Sequence, residues 1–388
     1  MTEIKILGNQ DERNTIDNLV RRAGQDSLIK GVLEGETFIK KSSSGEIIGL
    51  EEVADTARGG SLHTIHDIAF SSDNRLLFTA GEWISRYVFH ENAERKSFFE
   101  NLICDPHRNI ARLADGSHIY AYVIALSSDG RYLAAGYSKT EKDNGNKEDY
   151  HIGIFDTRNS TELCSLPLGG IPYKVMFSPN DRHVLTRRDN TLEIFNFDKN
   201  QPSLELNGTI PSIWDFDIAV CSYLSQNSFI AVSKIGSSKQ RSSVKYYLLQ
   251  ENGKILEDAE LGFEGTVYKV QFSKDGKHLA LANNDPDKLR IFESSLLFTS
   301  KKPVDYNGNI SDIDFDPCSD TIAVAFPGSD FILLKIFSGF GDKIRASDKY
   351  PGVEFFKVMF SKNGRYIAAA STDYHTRIFE VKRKNEPD

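Results

Sequence analysis

Short runs of apolar residues alternate with polar ones along this chain, and the runs recur as a larger unit. The unit is an apolar strand closing on a large side chain, a turn of Ser, Asp, Asn and Gly, and a second apolar strand. After a polar gap comes a strand ending in Ile-Phe and one polar residue. The first copy has Ile65–Phe70, the turn Ser71–Asn74, Leu76–Ala80 and Tyr87–Phe89. Clear copies follow at Tyr122–Asp156, Tyr173–Asn196, Tyr268–Glu293, Asp312–Ser338 and Phe356–Glu380, with a degenerate one at Trp214–Leu248. The residue closing each first strand (Phe70, Leu126, Phe177, Ile218, Phe272, Phe315, Phe360) recurs every 41 to 56 residues. Period-two alternation bounded by such turns predicts antiparallel hairpins.

A further apolar run follows the Ile-Phe strand, as at Leu163–Leu166, Leu204–Leu206, Ile255–Leu261 and Leu296–Thr299, so each unit predicts four strands. One such unit leaves both its faces bare, and seven of them bury those faces by stacking around an axis. The expected fold is all-β, a seven-bladed β-propeller of four-stranded antiparallel blades. Only a charged tail follows Val381, so the seventh unit lacks an outer strand, and residues 46–53 are extended and apolar enough to supply it. The expected propeller domain is therefore 46–388, closed by 46–53. Residues 1–45 form an appendage in which Ile16, Leu19, Val20 and Ala23, then Ile29, Val32 and Leu33, fall at helical spacing. This short helical segment is expected to pack on the propeller or to dock a partner.

The repeats resemble those of the WD40 family over about residues 46–381. The shared phrase is Phe-Ser-x-Asp-Gly, as in Phe272–Gly276, and Ile-Phe before Asp156, Asn196, Glu293 and Glu380 stands where the family places Trp-Asp. The Gly-His pair and the Trp-Asp ending of that family are missing, so its His–Asp hydrogen-bond network is not expected in most blades. TolB-like propellers share the same turn. The resemblance implies that the start of each first strand lies at the mouth of a central channel, on a face used for partners.

Stacking the seven first strands gives two columns with chemical content. Four residues before the closing residue stand His66, Tyr122, Tyr173, Trp214, Tyr268, Ser311 and Phe356, six of them aromatic or histidine against an aromatic background of 11%. Rigid aromatics with polar tips are common interface anchors, so His66, Tyr122, Tyr173, Trp214, Tyr268 and Phe356 are the candidate partner-binding residues. Packing beneath the connecting loops is the alternative, and a cation held by the rings is a second one. One position later stand Asp67, Val123, Lys174, Asp215, Lys269, Asp312 and Lys357. Apart from Val123 the sign alternates, which points to a structural ion-pair ring between blades, or to a polar channel for a charged ligand.

Composition narrows the function. The net charge of -8 gives no reason to expect nucleic acid as the main partner. The four cysteines, Cys104, Cys164, Cys221 and Cys318, have neither zinc nor disulfide-framework spacing. No apolar run approaches a membrane span and no leader pattern appears at the N-terminus, so a cytoplasmic chain is expected. No catalytic motif stands out: there is no nucleophile elbow and no phosphate-cradling Gly-rich loop, and His63 and His66 lack a carboxylate pair. Neither a cofactor nor a metal is expected. The sequence points to a non-catalytic scaffold or adaptor, a monomeric propeller within a larger complex that binds a peptide or protein at the aromatic mouth. A lactonase- or lyase-like enzyme and a small-molecule or cation sensor of the channel are the rival readings.

Overall fold

The computed structural model describes residues 47–55, 65–72, 74, 76–81, 84–88, 118–140, 149–159, 161–210, 217–221, 228–235, 241–249, 255–284, 287–293, 304–319, 321–326, 331–335, 343–345 and 353–384. The helical segment expected within residues 1–45 lies outside them. All regular structure among the described residues is β-strand.

The strands form seven antiparallel sheets among the described residues. The first sheet has three strands, β2 (Ile65–Phe70), β3 (Leu76–Gly81) and β4 (Ile84–Val88). It is preceded in sequence by β1 (Ile47–Asp55). The second contains β5 (His118–Leu126), β6 (Tyr132–Thr140), β7 (Asp149–Asp156) and β8 (Thr161–Leu168). The third contains β9 (Pro172–Phe177), β10 (His183–Arg188), β11 (Thr191–Asp198) and β12 (Ser203–Ile210). The fourth contains β13 (Ile218–Cys221), β14 (Ser228–Ile235), β15 (Arg241–Leu249) and β16 (Ile255–Glu264). The fifth contains β17 (Val267–Phe272), β18 (His278–Asn284), β19 (Asp287–Glu293) and β20 (Val304–Asn307). The sixth contains β21 (Asp312–Phe315), β22 (Thr321–Ala325), β23 (Phe331–Lys335) and β24 (Lys343–Arg345). The seventh contains β25 (Phe355–Phe360), β26 (Tyr366–Ser371) and β27 (Thr376–Arg383), with β1 paired along the outer side of β27.

The turn after each first strand explains the repeated phrase. The hydroxyls of Ser71, Ser127, Ser178, Ser273 and Ser361 accept the backbone N–H five residues on, at 2.9–3.0 Å. In these five turns the fourth residue has positive φ: Asn74 at 58°, Gly130 at 72°, Asp181 at 55°, Gly276 at 68° and Gly364 at 69°. Glycine, Asn and Asp are the residues that accept this backbone at least cost.

First strands gather at the centre. Strand β2 lies against β5, β5 against β9, β9 against β13, β13 against β17, β17 against β21, β21 against β25, and β25 returns to β2. Between the sheets the apolar positions of these strands are sealed: Ile68, Ile124, Val175, Val270, Ile313 and Val358 are all buried. They pack with second- and third-strand residues such as Leu133, Phe195, Ile322 and Phe379. A buried ion pair fastens the end of the chain: Arg383 on β27 reaches Asp316 of the sixth sheet at 2.9 Å and the Gly364 carbonyl at 2.9 Å.

Candidate functional site

The aromatic column occupies one kind of backbone position. In five sheets the pairing of first and second strands skips one first-strand residue. Ile65 pairs with Gly81 and Asp67 with Ala80, leaving His66 extra. By the same count Tyr122, Tyr173, Tyr268 and Phe356 are the extra residues. A bulge of this kind bends the strand and re-aims one side chain. The column is thus a column of bulges at the leading end of the first strands, opposite the Ser-containing turns.

The side chains do not form one uniform ring. His66 Nε2 and the Tyr120 hydroxyl lie 2.5 Å apart, and their rings are 5.2 Å apart. Tyr122 stacks on His66 at 6.2 Å and meets Tyr120 at 5.1 Å and Tyr150 at 6.0 Å. Its hydroxyl lies 3.4 Å from Ser138 Oγ. His66, Tyr120 and Tyr122 each meet the other two, and Tyr150 joins them through Tyr122, so the space among the first three is filled by the rings themselves. Burial pushes the pKa of His66 down, although Asp67 pulls the other way, which keeps the imidazole neutral near pH 7. Tyr173 is the exposed member, at 48%, with the Arg187 guanidinium 5.1 Å over its ring. Tyr268 is half-buried against the core and its hydroxyl accepts the Ile310 N–H at 3.1 Å. Phe356 is half-buried against the apolar cluster of Ile68 and Tyr366. Trp214 lies outside the described residues.

Sequence reasoning missed Tyr120 and Tyr150. Strand β5 begins at His118, earlier than the repeat predicts, and carries Tyr120 two residues ahead of Tyr122 onto the same patch. Tyr150 comes from the start of β7, a third strand. The extension of β5 past the repeat boundary, Ile119-Tyr-Ala-Tyr122, is the one sequence signal for the first of them.

One residue further along the first strands, charges meet in order. Asp67 is 2.9 Å from Lys357, and Lys357 is 4.0 Å from Asp312. Lys269 bridges Asp312 at 2.5 Å and Asp217 at 3.5 Å, and Lys174 closes the series on Asp217 at 3.0 Å. Here the register of the fourth copy is corrected. The repeat alignment put Asp215 in this column with Ile218 closing the strand, whereas Asp217 makes the contacts and Asp215 lies outside the described residues. The backbone agrees, because Val220, not Ile218, pairs with the first residue of the second-strand motif, Phe229. The same shift of two moves the aromatic column in that copy from Trp214 to Phe216, also outside the described residues.

The three acids have a second task. Asp67, Asp217 and Asp312 each accept a backbone N–H from the first strand of the next sheet: Ile124 at 3.0 Å, Val270 at 3.3 Å and Val358 at 3.0 Å. These N–H groups belong to the inner edges of the sheets, where no further strand follows, and a buried unpaired donor is costly. Burial opposes the charges of Asp217 and Asp312, yet the neighbouring lysines overcome it and hold both carboxyls below their usual range. Burial likewise opposes the charges of Lys269 and Lys357, but Asp217 and Asp312 hold the first above the usual ammonium range, and Asp67 and Asp312 the second. At Lys174 burial prevails over Asp217, and its pKa falls. The series is open at Val123, which is buried. A Cβ on its pairing partner Gly136 would stand 2.5 Å from Pro172 and 2.9 Å from Val123, so apolar packing fills this place.

Asp314, two residues beyond Asp312, ties three sheets together. It accepts the Phe360 N–H at 2.7 Å and the Gln271 side-chain amide at 3.3 Å. Burial pushes its pKa up to about 7, and Asp312 adds to this against the Phe360 hydrogen bond. Elsewhere, burial together with Glu162 raises the Cys164 thiol to about 11, which makes it a poor nucleophile. Among the described residues, no group of three or more His, Cys, Asp or Glu is placed to hold a metal ion, and no helix is long and apolar enough to cross a membrane.

No protein-family model matches the chain, and no curated protein matches it in sequence. Solved structures do match. The crystal structure of the β-propeller domain of Myceliophteria thermophila Cps50 (Swd1) superposes with a TM-score of 0.59 at 12% identity. The match covers 87% of this chain and 100% of that domain. At this identity the likeness speaks to architecture, and with the antiparallel four-stranded sheets it identifies the fold as a β-propeller.

Proposed function

We propose that the chain is a seven-bladed propeller of degenerate WD40-like repeats acting as a non-catalytic cytoplasmic scaffold. A peptide or protein partner docks on the mouth formed by the first, second and third sheets, where His66, Tyr120, Tyr122 and Tyr150 make a platform and Tyr173 with Arg187 stands at its side. The observation that carries this reading is the exposure of Tyr173, a rigid ring that is 48% exposed at the bulge position His66 and Tyr122 also occupy and that loses little entropy on binding. Three rings in mutual contact, with Tyr150 against one of them, favour a flat stacked occupant over a caged ammonium, because the cage would need the space the three rings fill. Three lysines among three acids supply their own counterions, which disfavours an axial metal and a metal-dependent enzyme.

The test is selection of a displayed random-peptide library on the purified protein, with affinities then measured against Tyr173→Ala. Tyr173 is exposed, so its removal should leave the melting temperature nearly unchanged. Selected peptides should lose about tenfold or more in affinity, the scale of an interface anchor. Peptides that bind wild type and variant equally would refute the proposed mouth.

A further inference from the structure

The other end of the central opening carries a different chemistry. Lys274 sits in the turn Ser273–Gly276 of the fifth sheet, and its Nζ donates to the carbonyl of Lys362 at 2.9 Å. Lys362 sits in the turn Ser361–Gly364 of the seventh sheet, and its Nζ donates to the carbonyl of Ser128 at 3.1 Å. Ser128 belongs to the second sheet. Each contact therefore passes over an intervening sheet, the sixth in one case and the first in the other. Side chains can skip a sheet in this way only across the centre, so both ammoniums lie over the turn end of the opening.

Neither ammonium is paired with a carboxylate among the described residues; both rest on backbone carbonyls. Asp181, one of two acids whose charge reaches Lys362, already takes the Ser128 N–H at 2.8 Å, the Ser128 hydroxyl at 2.5 Å and the Lys199 ammonium at 2.9 Å. Lys362 is half-buried, and burial followed by the charge of Lys274 lowers its pKa. Asp181 and Asp129 draw on Lys362 from a distance, but both also serve Lys199, so the two close ammoniums make a place where an added anion gains from both.

We propose that Lys274 and Lys362 form a binding site for a phosphate group at the turn end of the central opening. A phosphate carries close to two negative charges at neutral pH and several acceptor oxygens, so one group can bridge both ammoniums and offset both charges, where a carboxylate carries a single charge. The group can arrive as free phosphate or on a phosphorylated side chain, and both are tested. The melting temperature of the full chain is measured with inorganic phosphate, with a short phosphoserine peptide and with its unphosphorylated twin, each against chloride at matched ionic strength. Equilibrium dialysis of phosphate gives a reading independent of stability.

A rise of several degrees with phosphate, lost in both Lys274→Gln and Lys362→Gln, is the expected result. A rise with the phosphopeptide alone, lost in the same variants, assigns the source to a phosphorylated side chain. No rise or retention with either ligand, or a rise that survives in both variants, overturns the proposal. These lysines are remote from Tyr173, so the result is independent of peptide capture at the aromatic mouth.

Discussion

Asp312 and Val358 join two neighbouring sheets through one hydrogen bond: the carboxylate of the first accepts the backbone N–H of the second at 3.0 Å. The same carboxyl group meets Lys269 at 2.5 Å and Lys357 at 4.0 Å. Removing it takes one of two acid partners from each lysine, leaving Lys269 with Asp217 and Lys357 with Asp67, and leaves one edge donor unpaired. Asp312→Ala should lower unfolding stability by about 3–5 kcal/mol, the cost of breaking one side of a buried pair. Denaturant unfolding checks this, and a loss under about 1 kcal/mol would mean that the charges are solvated.

The fourth sheet tests the same logic and shows where sequence stops. In Trp214-Asp-Phe-Asp-Ile218 two acids stand two residues apart, and both preserve the sign alternation along the column. Choosing Asp217 needs the register of the hairpin that pairs Val220 with Phe229, which the alternation of charges does not carry. The repeat, the turn chemistry and the alternation of Asp with Lys were legible because each is a periodic signal copied around the chain. The division of the aromatic column into exposed Tyr173, stacked His66 and Tyr122, and core-facing Tyr268 and Phe356 was not legible. Each of these is the extra residue of a bulge, and which way a bulge turns its side chain depends on neighbours from other sheets.

Asp314 should give the protein a distinctive pH response. Its folded pKa of about 7 lies above the ordinary aspartate value of about 3.9, so the folded state holds the proton more tightly. The stability it contributes is complete below about pH 4 and is lost as pH rises through about 7. Asp314→Asn removes that dependence. The stability of the variant relative to wild type should rise between pH 5 and pH 8 by an amount on the order of a few kcal/mol. Paired unfolding curves at those two pH values decide the matter, and a constant difference would show that Asp314 is ionised throughout.

Arg383 holds the last strand to the sixth sheet through Asp316, with side-chain exposures of 4% and 0%. Arg383→Met leaves that carboxylate buried without its guanidinium and the Gly364 carbonyl without one donor. A loss of about 3–5 kcal/mol is expected. Because β1 pairs only with β27 in its sheet, limited proteolysis near β1 should quicken in this variant. Unchanged cleavage together with unchanged stability would show that the latch is dispensable.

Hydrogen exchange of the full chain, with and without a peptide selected on it, tests the interaction surface most directly. The account predicts that added protection concentrates at the leading ends of β2, β5 and β9, around His66, Tyr120, Tyr122 and Tyr173, and is absent with Tyr173→Ala. Protection confined to other surfaces, or unchanged by that substitution, would contradict it.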